Sequence, residues 1–205
     1  MKTLKTLSVI VLAVLTLTAV SNQAFAQTAE TDSENITLTA YLNTTLALTL
    51  DASTVTFTFD ELSEYQNGIG AADEVTLTGD VASTGNWKLA YKATTTLEHQ
   101  DQAGTTIPLN QVGVRAGLTG NYAALGYTSN NASANPLALE SSDVVILTKA
   151  TGESNAGASA DNGFTIYWEM GTGNGNMNAT SLFTADYRRG EYEATIQFTL
   201  TEVFP

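Results

Sequence analysis

The sequence predicts an all-β protein: a single antiparallel β-sandwich, immunoglobulin-like or jelly-roll-like, of about eight to ten strands. Val, Ile, Tyr, Phe and Thr gather in short runs in which apolar and polar residues alternate, which is the period of a strand with one buried face. Turn-forming Gly and Asn residues separate these runs. No stretch keeps a helical period, so only one or two short helical turns are expected.

Four stretches in the first half of the chain have this alternation. The first, "NITLTAYLNTTLALTLD", predicts two strands or one long bent strand, because the parity of its apolar residues shifts at "NTT" as it does at a bulge or corner. The others are "STVTFTFD", "DEVTLTGD" and "NWKLAYKAT". The residues expected to face inward are Ile36, Leu38, Ala40, Leu42, Leu46, Leu48, Leu50, Val55, Phe57, Phe59, Val75, Leu77, Trp87, Leu89 and Tyr91.

The second half continues the pattern with "IPLNQVGVRAGL", "DVVILTKA" and "GFTIYWEM", and the last of these has Phe164, Ile166 and Trp168 in register. The final stretch, "GEYEATIQFTLTEVFP", alternates almost to the last residue. We expect this strand either to close its own sandwich or to pair with a neighbouring molecule by strand addition. The candidate core or strand-pairing residues are Trp87, Leu89, Tyr192, Ile196, Phe198 and Leu200.

Short helical turns are expected at two places. "DELSEYQNG" offers Asp60 as N-cap and Asn67-Gly68 as the stop, and "NPLALESSD" offers Asn135 as N-cap with Pro136 at the first helical position. The stretches "TSNNASAN" and "TGESNAGASADNG" are rich in Ser, Asn, Gly and Ala and predict exposed loops.

The first 26 residues have the pattern of a secretory signal peptide. Lys2 and Lys5 precede an apolar run from Leu7 to Val20, and Ala24 and Ala26 are the small residues expected before a cleavage site. We expect 1–26 to be cleaved and 27–205 to form one domain. The mature chain would then be in the periplasm, at the cell surface or outside the cell, with no insertion into a membrane after cleavage.

Charge and composition limit the classes of partner and of site that are expected for the mature chain. Without Lys2 and Lys5 the eight basic residues become six against twenty-one acidic ones, a net charge of −15 for the mature chain. Phosphate backbones are bound by clustered Lys and Arg, so nucleic acid is not an expected partner. The chain has no cysteine, which excludes disulfides, thiolate metal sites and a catalytic cysteine.

No motif in the sequence predicts catalysis, a cofactor or a metal. His99, the single histidine, lies in the polar stretch "LEHQDQAG" and is expected in an exposed loop, without a nucleophile motif to serve. The carboxylates from Asp60 to Glu74 lack calcium-loop spacing and are expected to be solvated, although a calcium site there stays an open alternative. The glycines of "MGTGNGNMN" predict a flexible turn.

Two adjacent aromatic residues are candidate ligand contacts. Tyr167 and Trp168 follow one another in a predicted strand and therefore point to opposite faces. The exposed one of the pair is the candidate for stacking on a sugar, as in a module that binds cell-wall or extracellular polysaccharide.

The order of the motifs "VTFTF", "VTLTGDVASTGNWKLAYKAT", "IPLNQVGV" and the closing strand resembles cell-surface β-sandwich proteins of the WxL-domain type. Trp87 and Leu89 match a first Trp-x-Leu motif, while Phe198 and Leu200 occupy the second with phenylalanine in place of tryptophan. This resemblance implies binding to peptidoglycan.

The closing strand is also similar to that of chaperone-usher pilins and spore-coat-U-like subunits, with Gly190 before it and the aromatic Phe204 as penultimate residue. Small exported bacterial β-proteins of unassigned function are similar too. These resemblances imply a surface or filament subunit. The sequence as a whole predicts an exported, non-enzymatic structural or adhesive protein that assembles by strand pairing, with a polysaccharide-binding module as the alternative.

Overall fold

The computed structural model describes residues 38–70, 75–120 and 135–204, together with the backbone of 127–129. Leu42–Pro205 form one compact unit. The predicted signal peptide, Ile36, Asp73 and Glu74 lie outside the described residues, as does most of "TSNNASAN". The described strands are β1 (Leu46–Leu50), β2 (Thr76–Ser83), β3 (Trp87–Ala93), β4 (Leu97–His99), β5 (Thr106–Ile107), β6 (Val112–Leu118), β7 (Tyr127–Ser129), β8 (Leu137–Ala138), β9 (Val144–Lys149), β10 (Gly163–Met170), β11 (Tyr192–Glu193) and β12 (Ile196–Glu202).

These strands confirm the all-β, sandwich-like fold. They form three antiparallel sheets: a five-stranded sheet in the order β1-β2-β10-β6-β8, a four-stranded sheet in the order β12-β3-β9-β7 and a three-stranded sheet in the order β11-β4-β5. The strand number exceeds the eight to ten predicted because five of the strands have only two or three residues. Such short pairings leave too few alternating residues to be recognised in the sequence.

The core lies between the two larger sheets. Trp87, Leu89 and Tyr91 of β3 are fully buried, as the alternation predicts, and so are Phe164 and Ile166 of β10. Because successive side chains of a strand point to opposite faces, each of these strands presents every second residue to the common core. Large β-branched and aromatic side chains supply most of the apolar area that stabilises such a core.

The loop "TGESNAGASADNG" is an exposed loop only in part. Asn155 is buried, and its side chain accepts the Trp87 main-chain N–H (2.9 Å) and donates to the Trp87 carbonyl (2.8 Å). The Trp87 indole N–H donates to the Asn155 carbonyl at 2.8 Å. This loop therefore closes the start of β3 with three hydrogen bonds, which its polar composition does not predict.

Helical structure is as scarce as expected, but its positions differ in part. Helix α1 (Leu62–Asn67) has Glu61 rather than Asp60 as N-cap, because the Glu64 carboxylate accepts the N–H groups of both Asp60 (2.6 Å) and Glu61 (2.8 Å). Gly68 ends it with a positive φ of 76°. The helical turn expected after Pro136 is wrong, since β8 lies there; a 3₁₀ turn occurs instead at Leu109–Gln111.

The first predicted strand is also wrong in its described part. Residues 38–45 form no strand, and Leu38 and Leu42 are 91% and 95% exposed. Alternation gives a segment the faces of a strand, but a strand forms only where another backbone edge accepts its hydrogen bonds.

Candidate functional site

The two larger sheets both end at the same side of the molecule, where β12 and β1 lie beside each other. β12 pairs with β3 over seven residues, from Ile196 opposite Ala93 to Glu202 opposite Trp87. Within the described residues no strand pairs with the other side of β12. We call this unpaired side of β12, together with the neighbouring β1, the open edge. A strand edge of this kind presents N–H and C=O groups that another strand can pair with.

The apolar side chains at the open edge are only half-buried. Ile196, Phe198 and Leu200 pack against the core cluster but keep part of their surface exposed, and Leu46 of β1 is 37% exposed. The closing strand thus completes its own sheet by pairing with β3 and still leaves one backbone edge and one apolar rim accessible. Both alternatives that the sequence leaves open for this strand are compatible with that arrangement.

β1 itself is held firmly to its sheet. At its end the Asp51 carboxylate accepts hydrogen bonds from the Thr78 hydroxyl (2.6 Å) and the Thr78 N–H (2.9 Å). These bonds, the hydroxyl first, lower the pKa of Asp51 because they favour the charged carboxylate. Two hydrogen bonds therefore fasten the end of β1 to β2.

An extended segment without a partner follows β1. In residues 54–59 the exposed threonines alternate with half-buried Val55, Phe57 and Phe59, as the sequence predicts. The segment nevertheless belongs to no sheet, and its backbone makes no hydrogen bond to any part of the chain that the structure describes. Its apolar face packs on the core while its backbone remains available, so it is a second unpaired extended edge.

A cavity of about 380 Å³ opens between this segment and the stretch from Tyr187 to Ile196. We refer to it as the end cavity. Its walls combine apolar and polar surface, with apolar surface the larger part, and its volume lies within the range of about 300–1,000 Å³ that is typical of small-molecule pockets. The lining residues come from six strands, from α1 and from the segments between them, and include Phe57, Leu97, Ile107, Trp168, Met170 and Leu182.

His99 fixes one wall of the end cavity and is not the exposed loop residue that the sequence predicts. It ends β4 and is 5% exposed. Its Nδ1 accepts the Asp101 N–H at 3.1 Å, so the proton is on Nε2, which lies 3.0 Å from the Arg189 carbonyl and donates to it. Both ring nitrogens are occupied by main-chain groups, and neither is available to act as a general base.

Residues distant in sequence bury His99. The ring of Tyr192 meets it edge-on, with centroids 4.9 Å apart, and Gly190, at φ 144°, lies so close to the imidazole that a Cβ there would collide with Nε2. The Tyr192 hydroxyl donates to the Arg188 carbonyl at 2.7 Å. The turn that carries Arg188 and Arg189 is thereby anchored through its carbonyl groups.

The structure places the two candidate ligand contacts on opposite faces of β10, and Trp168 is the buried one of the pair. It is 1% exposed because it shares the inward parity of Phe164 and Ile166, and its ring meets Phe198 edge-on at 6.3 Å. Tyr167 is half-buried on the other face, and the Arg115 guanidinium lies 4.2 Å from its ring centre. One face of that ring is therefore already covered by a cation–π contact.

Beside Tyr167 is a buried polar cluster that the sequence does not single out. The Glu169 carboxylate is buried and lies 3.8 Å from the Arg115 Nε, and it accepts hydrogen bonds from Asn174 (2.8 Å) and Thr172 (3.1 Å). Asn174 and Thr172 belong to the glycine turn, in which Gly171, Gly173 and Gly175 all have positive φ. Arg115 and the two hydrogen bonds compensate for the buried charge of Glu169. The two hydrogen bonds also fasten the glycine turn to β10.

Among the described residues no three His, Asp or Glu side chains are grouped as metal ligands. At the start of α1 the Glu64 carboxylate accepts hydrogen bonds from two main-chain N–H groups, those of Asp60 and Glu61. The remaining candidates for a calcium site, Asp73 and Glu74, lie outside the described residues.

The candidate feature that the sequence does not predict is the end cavity, whose lining includes the adjacent Arg188 and Arg189. The adjacency of Arg188 and Arg189 in so acidic a chain is the only local signal for it. No protein-family model matches this chain, and neither does any curated protein sequence. In the described part of the chain no helix is long and apolar enough to cross a membrane.

Proposed function

We propose that the protein is an exported, non-enzymatic structural or adhesive component of the cell surface whose copies associate by strand pairing at the open edge. The unpaired side of β12 is the observation that carries this proposal. It combines an unpaired backbone edge with half-buried apolar side chains, and an added strand uses both. Export rests on the signal-peptide pattern of residues 1–26.

A second observation supports self-association over a foreign partner. The segment just before β1 carries Leu38, Tyr41 and Leu42 with most of their surfaces exposed. Its apolar residues Leu38, Ala40 and Leu42 recur at every second position, so an extended form of this segment has one apolar face. We assign it as the strand that pairs with the β12 edge of a neighbouring copy, where its apolar face covers Phe198 and Leu200.

A lysine introduced at the open edge tests this proposal. We expect Leu46→Lys to weaken association by about tenfold or more, because an ammonium group on an edge strand must be desolvated when another strand covers it. Leu46 is partly exposed in the single molecule, so the fold itself should tolerate the lysine. The measurement is the solution mass of residues 27–205 by light scattering across a concentration series.

Leu62→Lys is the matched control. Leu62 is 59% exposed and lies on α1, so this variant gains the same charge away from the open edge. The proposal expects it to associate like the unmodified protein. A protein that stays monomeric at every concentration, or equal association of both lysine variants, would contradict strand pairing at the open edge.

A further inference from the structure

The end cavity combines an apolar interior with two unpaired cations at its mouth. We propose that it binds a small amphipathic anion, an apolar chain or ring that carries one carboxylate-like head group. This inference is independent of the association proposed above, because Ile196 is the one residue of β12 in the cavity lining and no residue of β1 belongs to it. All residues that line the cavity belong to one copy of the chain.

The interior selects an apolar body. Phe57, Phe59 and Tyr65 line one side of the cavity, and Leu97, Ile107 and Met170 line the other parts of its wall. Aromatic and aliphatic walls of this kind favour ligands that bury hydrocarbon, with few polar groups to fix their orientation. A volume of about 380 Å³ limits the ligand to a small molecule.

One buried polar group in the cavity wall has no partner. The Nε1 of Trp168 is inaccessible to solvent and has no hydrogen-bond acceptor among the described residues. Buried indole N–H groups usually donate a hydrogen bond, because a buried donor without an acceptor is unfavourable. Because solvent does not reach this nitrogen, Trp168 offers a ligand in the end cavity the apolar surface of its ring.

The mouth selects a negative head group. Arg188 and Arg189 are exposed and line the cavity, and within the described residues neither forms an ion pair. Their carbonyl groups are bound by Tyr192 and His99, so the main chain is fixed and the guanidinium groups remain available. Guanidinium groups match oxyanions in geometry as well as charge.

Two carboxylates are also near the mouth. Glu191 and Glu193 line the cavity but are exposed, and they alternate with Tyr192 and Ala194, which pack against the core. Side chains alternate along an extended chain, so the two carboxylates lie on the face turned away from the core. Both pairs line the cavity, and only the guanidinium groups can donate hydrogen bonds to an anionic head group.

Calorimetric titration with three ten-carbon probes tests the inference: decanoate, decanol and decylamine, each below its micelle concentration. We expect decanoate to bind at one site with the highest affinity. Arg188→Gln combined with Arg189→Gln should weaken decanoate about tenfold and leave decanol unchanged. The control, Lys88→Gln combined with Lys149→Gln, removes two cations outside the cavity lining and should bind decanoate like the unmodified protein.

A variant in the cavity wall distinguishes binding inside the cavity from attraction of decanoate to surface charge. Val55 is half-buried at the cavity, and Val55→Phe should narrow it and weaken decanoate without unfolding the chain, as checked by circular dichroism. The inference is overturned by any of three results: no saturable decanoate binding, equal affinity for decanoate in the arginine and lysine variants, or preference for decylamine.

Discussion

At the scale of single residues, the alternation of apolar and polar residues along a strand predicts which of its side chains are buried. Trp87, Leu89 and Tyr91 are buried as their alternation indicates, because the sheet faces the core on one side only. His99 shows the converse. Its neighbours in sequence are polar, yet Gly190 and Tyr192 cover it from about ninety residues away, and no local pattern contains that contact.

Tyr91 gives a prediction at this scale. Its hydroxyl donates to the Leu137 carbonyl at 3.1 Å, and burial, with a smaller effect of the Glu140 charge, raises its pKa far above that of an ordinary tyrosine. The folded state therefore keeps a proton that the unfolded chain loses above about pH 10. Its contribution to stability is present below pH 10 and is lost as the pH rises further.

Tyr91→Phe should accordingly lower the free energy of unfolding by about 1 kcal/mol at neutral pH, because one hydrogen bond is lost and the Leu137 carbonyl loses its donor. The same variant should show a smaller loss of stability between pH 9 and pH 11 than the unmodified protein, by the linkage between pKa and stability. Urea titrations at a series of pH values measure both effects. Tyr41→Phe, at an exposed tyrosine, is the control, and an identical alkaline slope in Tyr91→Phe and the unmodified protein would refute the assignment.

At the scale of elements, alternation identifies faces and not partners. Phe57 and Phe59 turn inward as predicted, but residues 54–59 have no ladder, since alternation reports which side is buried and says nothing of which backbone lies alongside. The same reasoning explains Leu38 and Leu42, whose pattern is that of a strand although they are exposed. The end cavity could not be predicted because it is enclosed by segments far apart in sequence.

The loop that holds Trp87 gives a prediction at this scale. Asn155→Ala should lower the free energy of unfolding by about 2–3 kcal/mol, because it removes two hydrogen bonds to the buried main chain of Trp87. Denaturant unfolding followed by tryptophan fluorescence measures the change. Asn110→Ala, at an exposed asparagine of the 3₁₀ turn, should stay within about 0.5 kcal/mol of the unmodified protein. Equal stabilities of the two variants would show that Asn155 does not support β3.

At the scale of the whole molecule, strand pairing between copies depends on the way in which the sandwich ends. Its two larger sheets finish side by side at β1 and β12, and the backbone of β12 is paired on one side only within the described residues. A sheet with such an edge is prone to add a strand, and natural proteins block edges that are not meant to pair. No proline or inward-facing lysine blocks Ile196–Glu202.

Hydrogen exchange at the amides of Ile196–Glu202, measured at low and at high protein concentration, shows whether copies of the chain pair along β12. About half of these amides point to β3 and the rest point outward. We expect the outward amides to exchange quickly in dilute protein and to become protected as the solution mass rises, while those facing β3 stay protected throughout. If the mass rises and the outward amides still exchange quickly, the copies associate through another surface and the open edge is not the assembly site.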